Sequence, residues 1–74
     1  MENRIEIDPK VMVGKPVIKG TRIPVYLILD LLASGKKAED ITAEYTNLSE
    51  KDVIAAIEYA SSLLKREEIV EVEA

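Results

Sequence analysis

The run Gly14-Lys15-Pro16-Val17-Ile18-Lys19-Gly20-Thr21-Arg22-Ile23-Pro24-Val25 restricts this chain more than any other stretch. Two prolines fix their own φ and push the residues before them, Lys15 and Ile23, out of the helical region. Val17-Ile18 therefore reads as a short strand, Gly20-Thr21 as a turn, and Arg22-Ile23 as a second extended piece. Pro24 suits the first turn of a helix, where its missing N–H costs nothing. Strand and turn precede this stretch, and helices follow it.

Before it, Arg4-Ile5-Glu6-Ile7 alternates polar and apolar residues, as a half-buried strand does, and Asp8-Pro9 ends it. Val11-Met12-Val13 is too short to classify. A lone hairpin is marginal in water, so this β element must pack on helices or pair with another subunit.

Three helices are expected after it. The first runs from about Pro24 to Ser34 and stops at Gly35. Val25, Ile28, Leu29 and Leu32 form one apolar stripe, and Leu27 and Leu31 a second on another side. A helix apolar most of the way round is buried on more than one side. In 74 residues the second cover is most easily another chain, which points to a dimer through Leu27 and Leu31, with Ile5 and Ile7 of the β element beside them. The second helix covers about Ala38 to Tyr45, with Glu39 and Asp40 in its first turn and Ala38, Ile41 and Tyr45 inward. The third starts at Ser49 as N-cap, with Asp52 three residues on and Leu48 positioned to staple onto Val53. Val53, Ala56, Ile57, Ala60 and Leu64 carry its periodicity to about Lys65. From residue 66 to 74 the chain is acidic, and Val70-Glu71-Val72-Glu73 fits a late strand or a frayed tail. The expected fold is one mainly α domain: a β preamble over 1–23, then a helix-turn-helix-like three-helix bundle over 24–65.

The chain has no cysteine and no histidine. Disulfides, common zinc sites and serine or cysteine hydrolase constellations are thereby excluded, and nothing points to an enzyme or a cofactor. Asp40 and Glu44 share a helix face, but a solvated face explains them better than a metal site. Gly14–Thr21 lacks the spacing and the Gly-Lys-Ser/Thr of a phosphate loop. No apolar run is long enough to span a membrane and no signal-peptide core is present, so a cytoplasmic protein is expected.

The net charge of −4 hides a division. Residues 1–37 hold seven cations against four anions, a net of +3, and residues 38–74 hold three against ten, a net of −7. Lys15, Lys19 and Arg22 cluster on the strand-turn element, Lys36 and Lys37 sit at the mouth of the second helix, and Lys51 opens the third. Duplicated in a dimer, these six could contact DNA phosphates. Against that, the third helix opens with Glu50, Lys51 and Asp52 and lacks the arginine, asparagine or glutamine that reads base edges. Tyr26 and Tyr45 fit core positions better than stacking ones.

The run Gly14–Val25, with Ile7-Asp8-Pro9 before it and Gly35, Ile41, Tyr45, Leu48, Asp52-Val53 and Ala55–Ala60 after it, resembles a known family. It is similar to the small prokaryotic proteins grouped as domain of unknown function family 433 and described as VapB-like antitoxins, over about residues 5–64. The resemblance implies dimers, promoter-DNA binding for autoregulation and frequent pairing with a PIN-like ribonuclease toxin. The sequence departs from the pattern in three places. Val13 stands where glycine is often found, Lys37 where a serine N-cap is common, and Thr46 where proline is usual. Gly20 and Pro24 have sufficient structural reasons, whereas Arg22 either holds the strand–helix junction through backbone carbonyls or contacts a partner. A protein-interaction adaptor without nucleic-acid binding is the competing expectation.

Overall fold

A computed structural model describes residues 3–67, with element order β1 (Ile5–Glu6), a 3-10 turn at Met12–Gly14, β2 (Val17–Ile18), α1 (Val25–Ala33), α2 (Ala38–Glu44) and α3 (Glu50–Glu67). The alternatives for Val70–Glu73 lie outside the described residues. The two strands pair antiparallel, Ile5 opposite Ile18 and Glu6 opposite Val17. Three helices with this two-stranded sheet at the N-terminus make the fold mainly helical.

The Gly14–Val25 run folds back on itself as a hook. The Ile18 N–H donates to the Ile23 carbonyl at 3.0 Å, and the Thr21 N–H returns to the Ile18 carbonyl at 2.9 Å. Gly20 holds φ at +81° in that turn, a value that glycine adopts without steric cost and that a type II turn requires at its third position. The Val25 N–H, the first of α1, reaches back to the Pro16 carbonyl at 2.9 Å, and Lys19 N–H donates to the Arg4 carbonyl at 2.7 Å. Strand, turn and helix start are thus one hydrogen-bonded unit. Pro24 stands at the N-cap with extended backbone, one residue ahead of the first helical turn.

Ile18, Val25, Ile28, Ile41, Leu48, Val53 and Ala56 form the core, one contribution or more from every helix and from β2. Leu48 and Val53 meet there, as the staple at the start of α3 requires. The cap itself closes in both directions. Asp52 N–H donates to Ser49 Oγ at 3.3 Å, and Ser49 N–H donates to Asp52 Oδ2 at 2.9 Å.

Three expectations need correction or completion. Val11-Met12-Val13 resolves into a 3-10 turn in which Met12 and Val13 take φ of 53° and 55°, left-handed backbone that a β-branched residue adopts at a cost. Tyr26 is not a core residue: it is 49% exposed, because α1 turns Val25 and Ile28 inward. Ile57 and Leu64 keep the periodicity of α3 but are 46% and 68% exposed, lying outside the arc covered by the other elements. Of the residues expected at a dimer contact, Leu31 and Ile5 pack on the core of their own chain. α1 lies against both α2 and α3 and β1 lies against α3, which half-buries Leu29, Leu31 and Leu32. Leu27 remains half-buried and Ile7 exposed.

Lys37, the N-cap of α2, has no acceptor to offer the helix. Asp40 supplies the reciprocal half of the cap, its Oδ2 accepting the Lys37 N–H at 2.8 Å.

Candidate nucleic-acid interface

All six cations expected to meet phosphate are exposed. The hook positions three of them. Lys15 precedes β2 and Lys19 follows it, while Arg22 lies on the far side of the turn. Lys15 Nζ sits 5.7 Å from the centroid of the Tyr26 ring, a cation–π arrangement, at the edge of an apolar groove lined by Pro16, Leu29, Tyr59 and Leu63. The exposure of Tyr26 thus has a use: the ring orients a cation that remains open to solvent. Lys19 lies elsewhere, in a shallow depression with Asn3, Arg4 and Asp52. The hook therefore presents its cations on more than one side rather than gathering them at one point.

Arg22 makes no hydrogen bond to a carbonyl among the described residues. The junction it could have held is held by Thr21 instead. Thr21 Oγ1 donates to the Ile18 carbonyl at 2.7 Å and accepts the Ile23 N–H at 3.0 Å, bridging the two arms of the hook. From sequence Thr21 reads only as a turn residue, although an ST-turn hydroxyl beside glycine is a local signal for this role. With that work done by Thr21, the guanidinium of Arg22 is left to solvent or a partner.

Lys36 and Lys37 enter α2 and Lys51 lies in the first turn of α3. Cations at the positive end of a helix dipole oppose it, so these lysines do not stabilise the helices they open. Asp40 and Glu44 are exposed on α2, and no group of three or more metal-ligating side chains occurs among the described residues. No described helix is long and apolar enough to cross a membrane.

Nothing local in the sequence signals the pairing of Arg4 with Asp52, residues 48 apart. Arg4 Nη1 donates to Asp52 Oδ1 at 3.0 Å, while the other carboxylate oxygen serves the α3 cap. Asp52 is only 7% exposed. A buried carboxylate needs such partners, and one side chain here joins the β preamble to the start of α3. Arg4 therefore belongs to the fold, unlike the six exposed cations. Only the capping position of Asp52 is visible locally; its distant partner is not.

Comparison with known proteins agrees with this architecture. A 22-residue match to an uncharacterized protein of Archaeoglobus fulgidus is 82% identical, over 30% of this chain and 61% of that protein. The crystal structure of a DUF433 member from Anabaena variabilis superposes with a TM-score of 0.80 at 31% identity, covering 88% of this chain and 64% of that one. The chain thus spans less than two thirds of the length of either relative. The sequence profile described as "Protein of unknown function (DUF433)" matches residues 5–60. The chain belongs to the DUF433 family.

Proposed function

We propose that this chain is an antitoxin-like DNA-binding module, a VapB-like member of its family that neutralises a PIN-like ribonuclease toxin and represses its own promoter as a dimer. One observation carries the reading: Lys15, Lys19, Arg22, Lys36, Lys37 and Lys51 are exposed, and none forms an ion pair among the described residues. In a chain of net −4, with abundant carboxylates, cations left unneutralised are available for phosphates. Helices α2 and α3, joined by residues 45–49, supply a helix-turn-helix-like frame, and the acidic second half suits the basic RNA path of a nuclease.

An adaptor without nucleic-acid binding is the second reading. It is favoured by the opening of α3, where Glu50 is exposed and the Asp52 carboxylate is consumed by Ser49 and Arg4. That surface offers no base reader and repels phosphate.

Affinity purification of the tagged chain from its native cells separates the two. The antitoxin reading expects a small nuclease-like protein together with DNA from upstream of the chain's own gene. A protein partner recovered without DNA, at low as well as physiological salt, would favour the adaptor.

A further inference from the structure

The outward face of α3 carries a row that its own chain leaves uncovered. Ile54 and Ile57 are 54% and 46% exposed, Ser61 is exposed, and Leu64 is 68% exposed. Their spacing of three, four and three residues is that of the seam of a coiled coil, with Ile54 and Ser61 at the first core position and Ile57 and Leu64 at the fourth. The shape that fits a seam of this spacing is another helix.

The flanks of the seam identify which helix and in which direction. On one side stand Val53, buried, and Ala60, half-buried, both turned toward their own core. On the other stand Lys51, Glu58 and Lys65, all exposed. Only this second flank can make charge pairs, and it faces the same flank of a second copy only when the two helices run antiparallel. Charge then selects the register. The alignment that overlaps all four seam residues sets Glu58 against Glu58 and Lys51 against Lys65, which repels. Sliding by one heptad sets Ile54 of each copy on Ile57 of the other and brings Lys51 beside Glu58 of the other copy, twice over. Sliding the other way pairs Glu58 with Lys65 but rests on Ser61 and Leu64. The register through the two isoleucines is the better one, although it leaves Leu64 outside the contact and sets the exposed Glu50 opposite Ser61.

The geometry points to a second copy of this chain as the occupant, with α3 pairing antiparallel through Ile54 and Ile57 and flanked by two Lys51–Glu58 ion pairs. This interface differs from the Leu27, Leu31, Ile5 and Ile7 surface expected from the sequence. It stands whether or not DNA is bound: Lys51 turns toward the partner copy, and Lys15, Lys19, Arg22, Lys36 and Lys37 remain exposed for phosphate.

Sedimentation equilibrium of the full chain, in the absence of DNA, tests it. Wild type is expected to pass from the mass of one chain to that of two as concentration rises. Ile57→Lys, at a half-exposed position, is expected to stay at one chain with unchanged helix content. Lys51→Glu and Glu58→Lys each place like charges across the seam and should weaken the dimer about tenfold. An equimolar mixture of those two variants matches every charge and should recover the wild-type mass, a rescue that parallel pairing or a contact through α1 does not produce. A chain still monomeric at about 1 mM, a dimer indifferent to Ile57→Lys, or a mixture that fails to recover would each overturn the assignment.

Discussion

Thr21 uses one oxygen twice, as donor to the Ile18 carbonyl and acceptor from the Ile23 N–H, at the point where β2 turns toward α1. Thr21→Ala removes both bonds from a partly buried site and should cost about 1–2 kcal/mol, read as a lower urea midpoint, with Thr21→Ser recovering most of it. Val13 presents the opposite case. It is 91% exposed and held at φ 55°, so it contributes no burial and stores backbone strain. Val13→Gly, which restores the residue common at this place in the family's pattern, should stabilise the chain by about 1 kcal/mol, also measurable by urea unfolding. The sequence marks Val13 as a departure but does not reveal the left-handed backbone, because β-branched residues ordinarily argue for strand. Thr21 is half legible: its neighbours announce a turn, but a hydroxyl bridging two extended arms depends on how the arms close.

At the level of elements, the hook and the α3 start are legible because their signals are local. Pro16, Gly20 and Pro24 set backbone angles through their own chemistry, and Ser49 with Asp52 caps a helix within a single turn. The ion pair from Arg4 to Asp52 is not, since nothing in either neighbourhood specifies a partner 48 residues away. Asp52→Ala should therefore cost more than a cap alone, about 2–3 kcal/mol, by leaving Ser49 N–H without its acceptor and severing the tie from Arg4 to the start of α3. Arg4→Ala, which spares the cap, should cost less, and thermal unfolding of the two variants side by side checks the order. The helical periodicity of α3 is equally legible, but not which part of it faces the core. Ile57 and Leu64 obey the same spacing as Val53 and Ala56, and only the placement of α1, α2 and β1 around α3 leaves them outside.

Across the whole molecule, the division of charge into a basic front and an acidic back becomes a set of exposed cations on a mainly helical frame. Composition shows the division, whereas its use depends on which cations the fold consumes. It consumes Arg4 and leaves Lys15, Lys19 and Arg22 on the hook. Whether these three meet phosphates is read directly by the salt dependence of binding. The measurement is a titration of duplex DNA from upstream of the chain's own gene, by fluorescence anisotropy at several salt concentrations, for wild type and for the Lys15→Ala, Lys19→Ala, Arg22→Ala triple variant. The variant is expected to bind more weakly, and the slope of log affinity against log salt to shrink by about 0.9 for each phosphate it no longer neutralises. Equal affinity and equal slope in a folded triple variant, or no binding by wild type even at low salt, would contradict that expectation.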